Sequence, residues 1–159
     1  MKIKAKYLLL LLLTGVLVFS SCEERRTLDP APSKLEGIND TFTLTTVVQV
    51  DQITSEFDNT LDVSSAFIGT NPSTITFNSE DFTWNYEPGD SPDYLGAGGS
   101  WSFDDNEFPT LISVNNGGTT FDLTLLRTIR PQDQTLEFQL DKSCGTTPTV
   151  SYQYTFTRN

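Results

Sequence analysis

From Thr41 onward, apolar, β-branched and aromatic side chains recur at every second position, with no competing stripe at helical spacing. In an extended chain successive side chains point to opposite faces, so a period of two gives each segment one apolar and one polar side. Such segments are stable only where their apolar sides meet, which confines the chain to an all-β architecture. Phe42, Leu44, Val48 and Val50 form one face of the first segment. A spaced stretch from Gln52 to Asn71 follows, with room for a short helix or edge strand near Val63 to Ile68.

The remaining segments come in pairs. Ile75 and Phe77 share a face, the turn Asn78-Ser79-Glu80-Asp81 follows, and Phe82, Trp84 and Tyr86 share the next face, so residues 73–87 read as a hairpin. Beyond a Pro- and Gly-rich loop from Glu87 to Gly98, Trp101 and Phe103 pair across Asp104-Asp105-Asn106-Glu107 with Leu111 to Val114. Asn115-Asn116-Gly117-Gly118 is a strong turn, feeding a strand through Phe121, Leu123 and Leu125 toward Ile129. After the Pro131 turn, Leu136, Phe138 and Leu140 alternate with polar residues, as do Val150, Tyr152, Tyr154 and Phe156. The expectation is about eight antiparallel strands joined by short turns. They close as an up-and-down barrel or stack as a β-sandwich; closure removes exposed edges, which favours the barrel.

Thr74-Ile75-Thr76-Phe77-Asn78-Ser79, Phe82-Thr83-Trp84, Gly99-Ser100-Trp101-Ser102-Phe103, Thr135-Leu136-Glu137-Phe138 and Tyr154-Thr155-Phe156-Thr157-Arg158 carry a resemblance. In that succession residues 41–159 resemble the lipocalin-like domains of Bacteroidota lipoproteins. The resemblance implies an eight-stranded barrel; the resembling families are mostly of unknown function.

The N-terminus reads as an address. Lys2, Lys4 and Lys6 precede an almost wholly apolar run from Tyr7 to Val18, then Ser20, Ser21 and Cys22. This is signal-peptide composition, and the run of about 12 residues is shorter than the roughly 20 needed to cross a bilayer. Phe19-Ser20-Ser21-Cys22 resembles a bacterial lipobox, which implies cleavage after residue 21 and lipidation of Cys22. A multiply acylated cysteine holds a protein stably to a membrane where a single chain would not. Glu23 and Glu24 are similar to the acidic signal that sends such lipoproteins to the cell surface, so the expected location is the outer membrane, on its outer or periplasmic face. Residues 22–40 then have the charge and proline content of a flexible tether, leaving residues 41–159 as one domain.

Charge narrows the partners. Once residues 1–21 are removed, seven basic residues face 21 acidic ones, a net of 7 − 21 = −14, which repels nucleic acid and anionic lipid. The chain has no histidine, so histidine triads and zinc–histidine sites are excluded. With Cys22 lipidated, Cys144 is expected to be a lone thiol. Asp104-Asp105-Asn106-Glu107 and Glu80-Asp81 lack the spacing of a calcium loop and read as turns. Neither a metal nor a cofactor is expected, and no nucleophile–base pair marks an enzyme.

An eight-stranded barrel either fills its interior with side chains or holds one small ligand there. Trp84, Tyr86, Trp101, Phe103 and Tyr154 would line it, and Arg127 and Arg158 interrupt inward-reading rows near strand ends. Tyr94, in the long loop, could stack on a sugar ring. The expected function is non-enzymatic binding of a small apolar molecule or a glycan; the alternative is a structural or interaction subunit of an outer-membrane complex with a filled barrel.

Overall fold

A computed structural model describes residues 33–52, 59–144 and 147–159, without the side chains of residues 144, 147 and 148. The expected signal peptide, Cys22 and the first part of the expected tether, all within residues 1–32, lie outside the described residues, as does the Cys144 thiol. Nine strands form one antiparallel sheet: β1 (Thr41–Asp51), β2 (Thr60–Asp62), β3 (Thr74–Asn78), β4 (Thr83–Glu87), β5 (Gly98–Phe103), β6 (Leu111–Asn115), β7 (Thr120–Leu125), β8 (Thr135–Cys144) and β9 (Thr147–Arg158). Two short helices, α1 (Lys34–Ile38) and α2 (Ser64–Phe67), complete the described elements.

The sheet closes on itself. β1 pairs with β9 from Phe42 opposite Arg158 to Asp51 opposite Val150, so β1 and β3 to β9 form an eight-stranded barrel rather than a sandwich. β2 is a ninth, extra strand. It pairs with β1 at Val48 to Val50, on the edge whose other half, Thr41 to Thr43, pairs with β3.

Alternation sets which side chains enter the barrel, with one correction. The β1–β9 register shifts between Leu44 and Thr46, and the extra residue of such a bulge reverses the facing of all that follows it. Val47, fully buried, therefore takes the inward place expected of Val48. The β3–β4 turn holds a second difference. Asn78 Oδ1 accepts from the Glu80 amide and Asp81 Oδ1 from the amide and hydroxyl of Thr83, which winds Phe82 to a φ of 56° and leaves its ring exposed.

One end of the barrel is closed by residues read from sequence as tether. Ser33 caps α1 by accepting from the Leu35 amide, and the helix delivers Gly37 and Ile38 into the core. Full burial of a side chain such as Ile38 contributes about 1.5–3 kcal/mol, enough to hold a five-residue helix that could not form alone. Residues 33–40 therefore pack as part of the domain, ahead of Thr41. Arg158, at the end of β9, locks this cap: Nη1 donates to Pro131 O at 2.7 Å and Nη2 to Gly37 O at 2.6 Å, while the guanidinium lies 5.4 Å from the centre of the Phe42 ring. Its Nε is 3.5 Å from Asp40 Oδ2.

The opposite end is covered by α2 and the loop 88–97. Phe67 of α2 packs against Tyr94, Tyr152 and Tyr154 with ring centres 5.7–6.1 Å apart. Ser91 Oγ donates to Phe67 O, and Asp90 and Asn71 exchange bonds of 2.8 Å. Asn116 Nδ2 donates to Leu95 O at 2.9 Å and fixes the far side of the loop.

Candidate ligand-binding site

The barrel interior is packed. Phe42, Phe77, Phe138 and Phe156 are essentially inaccessible, and Phe138 stacks at 5.5 Å on both Tyr154 and Phe156. The void among Tyr86, Tyr94, Leu95, Phe138 and Tyr154 has a volume of about 10 Å³. That is the room of one water molecule, far below the roughly 300–1,000 Å³ of a ligand pocket.

The expected lining residues are mostly core. Trp84 Nε1 donates to Asn115 O at 3.2 Å and Trp101 Nε1 to Asn78 O at 3.1 Å, so both buried indoles have backbone partners and none to offer a guest. Phe103, half-buried, meets Trp101 edge to face at 5.1 Å. Tyr86 and Tyr154 lie beneath the covering loop, where burial pushes both phenols up from their ordinary pKa. Among the described residues the Tyr154 hydroxyl has no hydrogen-bond partner.

The two arginines separate. Arg158 is the lock of the closed end. Arg127 does not continue the inward row, because β7 stops at Leu125 and the chain turns out of the ladder. Its side chain is 50% exposed and pairs with Glu137 at 3.1 Å, so it faces solvent outside the barrel. Ile129, which the same reading placed on that strand, is buried in the following loop.

A larger space lies in the barrel wall. The β7–β8 ladder holds two residue pairs, Thr124 with Gln139 and Leu125 with Phe138, extended by a bond of 3.0 Å from the Leu126 amide to Glu137 O. The same register continued would set Asp122 directly opposite Asp141, and like charges so placed destabilise a ladder. There the strands part, leaving a groove of about 440 Å³. Tyr94 and Phe121 give it aromatic surface, Asp122 and Asp141 carboxylates, Thr120 a hydroxyl and Lys142 an ammonium. Ser113 Oγ holds Asp122 at 2.8 Å, Ser151 Oγ holds Asp141 at 2.6 Å, and Lys142 Nζ lies 4.9 Å from the Tyr94 ring centre. Sequence reading had singled out only Tyr94 of this set; the rest needs the β7–β8 register, which a single chain does not display.

Three loops of the closed end expose apolar side chains: Phe82, Leu126 and above all Phe108, 71% exposed. Among the described residues no three potential metal-binding side chains of the His, Cys, Asp and Glu types come together. No family model, curated protein or solved structure matches the chain.

Proposed function

We propose that the chain is a non-enzymatic lipoprotein, anchored to the outer membrane through Cys22, that binds a glycan in the groove between β7 and β8. The single observation that carries the binding reading is the groove itself, whose 440 Å³ falls in the range of ligand sites. Its chemistry fits a sugar: aromatic faces for the C–H surface of the ring, and carboxylates, a hydroxyl and an ammonium for its hydroxyl groups. A packed interior counts against an apolar ligand in the barrel mouth. The anchoring part of the proposal is supported by the lysines, apolar run and Phe19-Ser20-Ser21-Cys22 of the N-terminus.

A glycan array probed with the mature protein tests the binding reading. Bound sugars are expected to be released at least fivefold more readily from Phe121→Ala and Lys142→Ala; an array without hits, or variants that bind like wild type, would refute it. Retention of a Cys22→Ala protein in washed membranes would remove the anchor.

The exposed Phe108 favours a second reading, a subunit that meets an outer-membrane partner with its closed end. In that case Phe108→Ser abolishes a co-purifying complex that Phe121→Ala leaves intact.

A further inference from the structure

The turns after β3, β5 and β7 gather at the end where β1 begins, because each strand runs antiparallel to its neighbours. They carry Phe82, Phe108 and Leu126, three of the five large apolar side chains exposed among the described residues. Two of these are held outward by their own turns. Asp105 Oδ1 accepts from the Glu107 amide at 2.7 Å and the Phe108 amide at 2.9 Å, and Pro109 is buried beside them, so the Phe108 ring is left on the outside of a fixed turn. Phe82 keeps its ring exposed at a φ of 56°, a conformation that bulky residues rarely adopt. Apolar side chains gathered at one end of a domain mark an interaction surface.

The chain enters the domain at the same end. Ser33 caps α1, and Asn39 Oδ1 accepts from the Ser79 amide at 2.8 Å, tying the segment ahead of β1 to the β3–β4 turn. Only 33 − 22 = 11 residues separate Cys22 from Ser33, a reach of at most about 40 Å. β9, at about 3.4 Å for each of its 12 residues, runs a similar distance along the wall. A lipid on Cys22 therefore brings the closed end to the bilayer first, and turning the opposite end to it would use nearly the whole reach. Charge selects the lipid: the three turns, residues 79–82, 104–110 and 126–134, hold six carboxylates against two arginines, a net of 2 − 6 = −4, which anionic headgroups repel.

We propose that the closed end is a membrane-docking face, on which Phe82, Phe108 and Leu126 enter the headgroup boundary of a zwitterionic phospholipid bilayer and orient the domain that Cys22 tethers. The opposite end, with the Tyr94 loop that borders the groove, is then turned away from the lipid. The proposal rests on the anchor at Cys22, but not on the glycan.

The mature protein, purified from its host in detergent, is reconstituted on phosphatidylcholine vesicles whose upper acyl carbons carry bromine, which quenches nearby indoles. Phe108→Trp and Leu126→Trp place reporters on the closed end and Tyr94→Trp one at the opposite end; all three sites are exposed, and wild type gives the background of Trp84 and Trp101. The two closed-end reporters are expected to lose roughly half of their added emission, as side chains about 5–10 Å deep in the interface do, and the Tyr94→Trp reporter to keep its own. Replacing part of the lipid by phosphatidylglycerol is expected to weaken the quenching, and added salt to restore it. Equal quenching at both ends, or none at either, would overturn the docking face; in the second case, loss of a co-purifying protein from Phe108→Ser assigns the closed end to a protein partner instead. Quenching that grows with phosphatidylglycerol would overturn the choice of lipid. Protein that does not sediment with the vesicles loses the anchor and the docking face together, whereas sedimentation without quenching sinks the docking face alone.

Discussion

Replacing Arg158 by alanine tests whether the closed end is held by one side chain. The guanidinium makes two charge-assisted bonds to backbone carbonyls, of Gly37 and Pro131, and its side chain is only 15% exposed. Such bonds contribute about 1.5–3 kcal/mol each. The contact with the Phe42 face adds roughly 0.5–1 kcal/mol, while the long pairing with the more exposed Asp40 adds little. Allowing for water that reaches the vacated site, the loss should be about 3–5 kcal/mol. A domain of roughly 125 residues unfolds with an entropy near 0.26 kcal/mol/K, so each kcal/mol shifts the midpoint by about 4 °C. Thermal unfolding followed by near-ultraviolet circular dichroism should therefore fall by about 12–20 °C. Arg158→Lys keeps the charge without the fork and should lose about half as much. Arg127→Ala, which breaks only a solvent-exposed pair, should leave the midpoint close to that of the wild type. A drop for Arg158→Ala no larger than that for Arg127→Ala would refute the argument.

Two further expectations concern the loops and the parted strands. Asp104 accepts from the Thr110 hydroxyl at 2.6 Å and from the Thr110 and Leu111 amides at 3.0 Å, and these bonds, the hydroxyl foremost, hold its pKa down to about 2 from near 3.8. A depressed carboxylate stabilises the fold above its unfolded value and loses that effect as pH falls. Amide protection factors at Thr110 and Leu111, corrected for the intrinsic exchange rate at each pH, should accordingly fall between about pH 4 and pH 2, and an Asp104→Ala protein should show the lower protection already at neutral pH; protection flat across that window would contradict the assignment. Asp122→Thr removes the like-charge opposition to Asp141 and adds a β-branched residue. Its β7–β8 ladder should lengthen, with slower amide exchange at Asp141 and a narrower groove; unchanged exchange would mean that the charges do not part the strands.

The residues that alternate most cleanly were legible and kept their roles. Leu136, Phe138 and Leu140 on β8, and Tyr154 and Phe156 on β9, face inward as their spacing requires. The hairpin over residues 73–87 also stands, since its turn residues act locally. Where the reading slipped, one unseen term was responsible each time. The bulge near Thr45 moved the inward place from Val48 to Val47, and the end of β7 at Leu125 released Arg127 to solvent. The α1 cap was hidden by charged, proline-bearing surroundings, although Ser33 followed three residues later by Glu36 has the form of a capping box and could have revealed it.

Period-two patterning, turn residues and the absence of histidine were enough to make this an eight-stranded all-β chain with little prospect of zinc or triad chemistry. They act over a few residues, and every conformation of the chain inherits them. Closure into a barrel needed β1 to find β9 at the other end of the domain, and the groove needed Asp122 to face Asp141. Both depend on register between segments distant or turned relative to one another. Side-chain alternation is the same in a sandwich as in a barrel, so it could not choose between them. Only the packing of the interior among the described residues moved the candidate site from the centre of the barrel to its wall.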